Sequence, residues 1–357
     1  MTFLKYQDWF LNGALIVLAA ASLLTIFSVA ENLFLTQAAW FAIGFGIIFL
    51  GARIDWRTIQ NYRWMIFGFY FLTMGLLIAA LFFAPVIRES KSWLVLGPLR
   101  FQPSELAKVA LILLFAYFFA RRHIGIAHLG NLATSFAYFA VPTALIFLQP
   151  DWGSALVFGG LWVGFLLVSG IRWRHLAVGT LVVIIMGILS WNFFLADYQK
   201  ERILGFLNPS YDPLGVNWSV LQSKIAIGSA GFFGKGFNQG TQTQLGFLPE
   251  PATDFIFAAF VEEWGFLGGV TVVVAFLFLI FQLIKIGLRS ENNFSQYISL
   301  GTAILFILEF IFNIGSNLGL LPVVGVTFPF LSYGGSSLLT KAILIGIIQS
   351  TAVRTKS

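Results

Sequence analysis

The chain has 357 residues, of which 58% are hydrophobic and only 10% charged, with a mean hydropathy of +0.87. Soluble proteins carry roughly a quarter charged residues, so a soluble globular enzyme is excluded. The net charge of +6 is scattered in groups too small for a nucleic-acid footprint, and the lack of cysteine excludes a thiolate metal site and leaves the redox compartment unread.

Apolar runs approach or exceed the ~20 residues that cross a bilayer as helix. They predict an all-α polytopic membrane protein of about ten transmembrane helices. These fall near 10–30, 33–51, 64–84, 104–121, 132–148, 153–170, 176–195, 255–287, 296–319 and 336–353. The first run follows Lys5 like a signal peptide, but it is longer than a typical signal core and a second span follows at once, so it reads as a retained helix. The eighth is long enough to project from the membrane or to break.

An even number of spans places both termini on one side. That side holds Lys5, Arg53, Arg57, Arg63, Arg121, Arg122, Arg172, Arg174, Lys285, Arg289, Arg354 and Lys356. Among the short loops opposite, only Arg88, Lys91 and Arg100 appear, in one loop. The positive-inside rule therefore expects both termini in the cytoplasm. One connection is long, the extracytoplasmic loop 196–254, and the chain reads as a single membrane domain over 1–357 that includes it. The loop is rich in glycine and charge, yet Phe206, Trp218, Phe232, Phe233 and Phe237 are too apolar for a solvated tail. An ordered surface loop with short interfacial helices is expected over a disordered linker.

Apart from Arg121 and Lys285 at the cytoplasmic helix ends, six ionisable residues fall inside the predicted spans: Glu105, Lys108, Glu262, Glu263, Glu309 and Lys341. Such groups are expensive in a bilayer and mark function by default; all six lie at or outside mid-membrane. Pro103 suits a helix start, with Glu105 and Lys108 sharing a face at i, i+3, either a structural ion pair or part of a site. Asp254 follows Pro249-Glu250-Pro251 and falls in the first turn of the eighth helix, where a carboxylate ordinarily caps the helix. Ala258 and Glu262 continue a stripe below it, while Glu263 points elsewhere. Gly234-Lys235-Gly236 lacks the rest of a phosphate-binding loop. His123, His128 and His175 all fall in cytoplasmic loops, which argues against an external histidine metal site or a Ser-His-Asp triad.

Several strings, in order, resemble the SEDS family (shape, elongation, division and sporulation). They are Arg100-Phe101-Gln102-Pro103-Ser104-Glu105 with Lys108, Gln149-Pro150-Asp151-Trp152-Gly153-Ser154, Gln222-Ser223-Lys224-Ile225-Ala226-Ile227-Gly228 and Gly234-Lys235-Gly236. Further along stand Leu248-Pro249-Glu250, Thr253-Asp254-Phe255-Ile256-Phe257, Glu262-Glu263-Trp264-Gly265, Asn313-Ile314-Gly315, Leu321-Pro322-Val323-Val324-Gly325, and Pro329-Phe330-Leu331-Ser332-Tyr333-Gly334-Gly335-Ser336-Ser337. Trp152 and Ser154 depart from the expected Leu and Thr. The near absence of a tail before the first helix favours the elongation branch over the division branch.

The resemblance implies a peptidoglycan glycosyltransferase that polymerises lipid II at the outer face of the bacterial cytoplasmic membrane for elongation and rod shape. It also implies a class B penicillin-binding protein as transpeptidase partner. One inverting displacement to a β-1,4 link needs a base and cationic stabilisation of the leaving diphosphate. Asp254 is the expected base, or else the ligand of a divalent cation (Mg²⁺ or Mn²⁺) on the diphosphate; no organic cofactor is expected. Arg100, Lys108, Arg202, Lys224 and Lys235 are candidate phosphate contacts, each with an interfacial anchor as the plain alternative. Glu105 is expected to orient Lys108, and Asp151 to close the pocket floor. A lipid-precursor flippase and a non-catalytic scaffold are the competing classes.

Overall fold

In the computed structural model the described residues are 7–86, 90–97, 99–122, 128–172, 197–208 and 217–356, with isolated positions between them. The predicted helix 176–195 and the loop residues Lys5, Arg88 and His123 lie outside them. In chain order the helices are α1 (Trp9–Val29), α2 (Glu31–Gly51), α3 (Arg63–Phe83), α4 (Pro103–Arg122), α5 (Leu129–Leu148) and α6 (Trp152–Val168). After these come α7 (Asp197–Leu207), α8 (Trp218–Ser229), α9 (Thr241–Gln244), α10 (Ile256–Arg289), α11 (Asn293–Asn317) and α12 (Gly335–Lys356). Eight are long and apolar enough to span a membrane, and α6 is a shorter apolar helix of the same kind. The chain is thus an all-α polytopic membrane protein.

Local chemistry sets the helix ends. The Asp8 carboxylate accepts from the Leu11 amide at 3.0 Å and caps α1. Ala30, in a non-helical conformation, is the single residue that turns α1 into α2. Pro103 opens α4, where its missing N–H has no cost.

Burial separates centre from rim. In α4 and α12, 83% and 89% of the apolar window is buried, against 22% in α2 and 17% in α5. The first two form the core; the others present their sides to lipid. Small residues let the helices close up, as in membrane bundles generally. A Cβ on Gly51 would lie 3.3 Å from the Gly346 Cα, and one on Gly160 would press on Leu308 at 2.7 Å. Both chain ends meet at one end of the bundle: Gln349 Oε1 accepts from the Asp8 amide at 3.0 Å, and Arg354 pairs with Asp55 at 3.3 Å.

The opposite end holds three features that helical periodicity did not resolve. Leu94–Leu96 and Leu99–Phe101 pair as an antiparallel hairpin before α4, the two strands among the described residues. The long loop carries the short helices α7, α8 and α9, in keeping with the expected interfacial helices. Finally, α10 is interrupted at Gly265 (φ 71°, ψ −170°), one of the two fates expected of so long a run.

Candidate active site

Asp254 does not sit in the first turn of a helix, as expected, but in a turn that precedes Ile256, the first residue of α10. Pro249 and Pro251 deny the helix amides, and the chain folds into a compact turn instead. Thr253 and Phe255 both donate their amides to the Glu250 carbonyl at 3.2 and 3.3 Å. The carboxylate is therefore not a helix cap, and its main chain is held from elsewhere.

That hold comes from α11. Asn313 and Asn317, one turn apart, both donate Nδ2 hydrogens to the Asp254 carbonyl, at 3.0 and 2.9 Å. Asn313 also donates to the Val326 carbonyl at 2.9 Å, and Asn317 Oδ1 accepts from the Ala258 amide at 3.1 Å. The preceding residues are fixed by the loop that leads into α12. Ser332 Oγ donates to the Thr253 carbonyl at 2.7 Å, and the Tyr333 amide to the Ala252 carbonyl at 2.8 Å. Gly325 faces the carboxylate, its Cβ direction pointing 3.9 Å from Asp254 Oδ2. Asp254 is half-buried.

The five candidate cations separate into classes that sequence could not distinguish. Lys108 is buried and paired with Glu105 at 2.8 Å and Glu309 at 2.7 Å. Lys235 is paired with Glu262 at 2.7 Å and donates to Thr241 at 2.7 Å. Arg100 and Lys224 are exposed and carry no ion pair among the described residues. The Arg202 side chain lies outside the described residues. Arg100 stands on the second strand of the hairpin beside Tyr333, whose phenol is pushed up by burial and pulled back by the arginine's charge. The Lys224 ammonium lies against Gly319, and its neighbour Ser223 donates to the Asn317 carbonyl at 2.8 Å. Asn317 therefore connects Lys224's helix to Asp254.

Asp151 caps α6, accepting from the Ser154 amide at 3.1 Å and hydroxyl at 2.8 Å, and also accepts from Gln102 Nε2 at 2.9 Å. It joins α6 to the start of α4. Next to it, α6 meets the chain before α12 so closely that a Cβ on Gly153 would collide with the Val324 carbonyl.

Beneath these groups lies a four-charge chain. Glu105 orients Lys108 as expected, but Glu309 takes the same ammonium from α11 and then pairs with Lys341 of α12 at 3.0 Å. Lys341 also donates to Ser337 and, at 3.3 Å, to Thr327. All four are buried, and two acids against two bases leave no net charge. Intramembrane position marked Glu309 and Lys341, but not their joining of three helices; an Asn pair at i, i+4 in an apolar helix was the missed signal for Asn313 and Asn317.

Glu262, the expected continuation of the Asp254 stripe, turns instead to the loop. Besides Lys235 it accepts from the Gln242 and Thr243 amides at 2.8 and 3.1 Å and from the Thr243 hydroxyl at 2.8 Å. Glu263 turns to α1 and accepts from Ser28.

The arrangement is an aspartate turn clamped from α11, with Arg100 and Lys224 exposed on elements that adjoin the same loops, at the end of the bundle away from the termini. The family model for the cell cycle proteins FtsW, RodA and SpoVE matches residues 3–357. The chain is 38% identical to the peptidoglycan glycosyltransferase MrdB of Escherichia coli K12 over 87% of its own length and 82% of the relative's. It is 37% identical to the MrdB of Helicobacter pylori over 94% and 87%. Among solved structures, a chain from work described as structural coordination of polymerization and crosslinking by a peptidoglycan synthase complex superposes with a TM-score of 0.84, at 31% identity and 98% coverage of both chains. The Thermus thermophilus rod shape determining protein RodA superposes with a TM-score of 0.71, at 26% identity, covering 97% of this chain and 96% of that one. The chain belongs to the FtsW/RodA/SpoVE family, the SEDS proteins.

Proposed function

We propose that this protein is a peptidoglycan glycosyltransferase of the elongation branch, joining lipid II units into β-1,4 glycan with Asp254 as general base. The observation that carries the reading is the Asp254 turn: a half-buried aspartate whose main chain is clamped by Asn313 and Asn317, at the end of the bundle where Arg100 and Lys224 are exposed and carry no ion pair among the described residues. The names of the relatives, peptidoglycan glycosyltransferases in Escherichia coli and Helicobacter pylori, support the same reaction.

In the proposed step the acceptor 4-hydroxyl oxygen attacks the anomeric carbon of the donor. The hydroxyl proton passes to the Asp254 carboxylate as the bond from the anomeric carbon to the diphosphate oxygen breaks. The lipid diphosphate leaves with the bonding electron pair, and Arg100 and Lys224 stabilise the charge it gains. The donor is α-linked and the product β-linked, so a single inverting displacement needs no covalent intermediate.

Among the described residues no group of three or more His, Cys, Asp or Glu side chains could hold a resident metal. A Mg²⁺ or Mn²⁺ arriving on the diphosphate fits better, since such ions keep water and substrate oxygens and take one or two protein carboxylates. In that alternative Asp254 would hold the ion in place of serving as base, and the ion would neutralise part of the diphosphate charge.

Arginine and lysine gather at the end that carries the termini, which by the positive-inside rule supports an extracytoplasmic position for Asp254. Lipid II then presents its head to the polar end of the bundle and its tail to the surrounding lipid. The structural likeness to a synthase complex that couples polymerization to crosslinking supports a class B penicillin-binding protein as partner.

Purified protein reconstituted with lipid II is expected to form glycan strands, and Asp254→Asn to abolish them at unchanged thermal stability. Polymerisation retained by the folded variant removes Asp254 from the chemistry.

A further inference from the structure

The break in α10 is filled by another part of the chain. At Gly265 the helix ladder stops, which strands carbonyls above the break and amides below it. The Lys235 and Gly236 amides donate to the carbonyls of Glu262 and Glu263, both at 3.0 Å. The Phe266 and Leu267 amides donate to the carbonyls of Gly231 and Phe232 at 3.0 and 3.1 Å. Residues 231–236 thus run along the break and replace its missing helical bonds. Glycine permits the approach on both sides: a Cβ on Gly234 would collide with the Glu263 carbonyl, and one on Gly265 with the Gly234 amide.

Two counts give the depth of this contact. A hydrocarbon layer takes about 20 helical residues, and counting up α10 from Lys285 at the basic end reaches Gly265. From the other side, Ser28 in the last turn of α1 bonds to Glu263, and Phe27 stacks on Phe237 with ring centroids 6.0 Å apart. Glu31, exposed at the α1–α2 turn, marks the headgroup level just beyond. The break therefore lies below the headgroups.

The side chains carried there are apolar and outward. Phe233 is 76% exposed, Phe266 62% and Phe232 56%, with Phe232 against Phe233 at 4.9 Å and Phe266 at 6.1 Å. They continue the exposed apolar face of α10 formed by Leu267, Val270, Val274 and Phe281, which in a membrane span faces lipid. Irregular backbone at membrane depth requires that its polar groups be met by protein, and here the broken helix meets them.

We propose that residues 231–237 form a re-entrant loop whose Phe232 and Phe233 side chains sit among the acyl chains of the leaflet on the Asp254 side. The loop is part of the lipid-facing surface, not a cap in water. Through Lys235 and Glu262 it ties the chain leading to Asp254 to a fixed height in the bilayer.

The chain has no cysteine, so single substitutions give unique labelling sites. Phe233→Cys, Phe232→Cys and Phe266→Cys would carry a nitroxide in vesicles of phosphatidylethanolamine and phosphatidylglycerol. Val274→Cys serves as the acyl-level reference and Asn32→Cys as the headgroup-level one. Collision with oxygen relative to a water-soluble nickel chelate is expected to be several-fold higher at positions 232 and 233 than at 32, and to resemble 274. A ratio at both loop positions equal to that at 32 places the loop in water and overturns the proposal. Failure of either collider to reach them means that protein covers the patch, which overturns it equally. A lipid-like ratio at 266 with a water-like ratio at 232 and 233 does the same, because the span would then be inserted and the loop not.

Discussion

Two of the lysines carried by the long loop, Lys224 and Lys235, show what pairing does to a charge. Lys235 Nζ is 2.7 Å from a Glu262 carboxylate that is itself fully buried, whereas Lys224 rests on glycine backbone with no carboxylate paired to it among the described residues. A paired ammonium has little attraction left for a diphosphate; an unpaired one keeps all of it. A hydrogen bond to a charged group contributes about 1.5–3 kcal/mol, so Lys224→Met is expected to raise KM for lipid II by roughly ten- to a hundredfold with thermal stability unchanged. Lys235→Met is expected to act in the reverse sense, lowering the unfolding temperature of the purified protein before it affects KM. Equal effects of both on KM would show that the Lys235–Glu262 pair opens to bind substrate. Asp254 was legible as a candidate through the resemblance carried by Thr253-Asp254-Phe255, while its place after Pro249 and Pro251 alone suggested a helix cap. The division of the cations was not, because their partners lie 3 to 201 residues away along the chain.

At the scale of elements, α4, α11 and α12 are fastened by one chain of charges, Glu105 to Lys108 to Glu309 to Lys341. Removing one member of a buried pair leaves an uncompensated charge and costs about 3–5 kcal/mol. Lys341→Met should therefore destabilise the protein by that order, read from unfolding in detergent. Adding Glu309→Gln restores neutrality and leaves Glu105–Lys108 intact, so the double variant should be less destabilised than the sum of the singles. Additive losses would mean that Glu309 and Lys341 do not act as a pair. The apolar runs and Pro103 made the spans readable, because helix length and helix starts are local properties. The hairpin at Leu94–Phe101 was not readable: three residues per strand are too few for alternation to show. The Gly265 break was only half readable, since length announced that α10 could not be one straight span, but not which segment would fill the gap.

Over the whole molecule, ionisable groups and helices are distributed unequally between the two ends. The buried charge chain lies toward the Asp254 end, whereas the half nearer the termini holds a buried network of Gln7, Asp8, Asn12 and Gln349 and no buried ion pair among the described residues. A transporter needs polar groups along its full path, and the lack of a buried ion pair in that half among the described residues disfavours the flippase reading. Vesicles loaded with labelled lipid II on the leaflet of the termini should show no protein-dependent transfer under conditions where the same preparation polymerises lipid II on the other leaflet. Transfer at rates matching polymerisation would restore the flippase reading.

The clamp on Asp254 has a consequence for how a long polymer is made. Asn313 and Asn317 occupy the aspartate's carbonyl from a helix buried in the bundle, so the carboxylate moves only by its own side-chain rotations, a few ångströms at most. Each addition lengthens the glycan by a whole disaccharide, far beyond that range. If Asp254 is the base, as proposed, it cannot follow the growing end. After every bond the sugar chain must slip past a stationary catalyst, and the distance of that slip is set by the product rather than by any stroke of the protein.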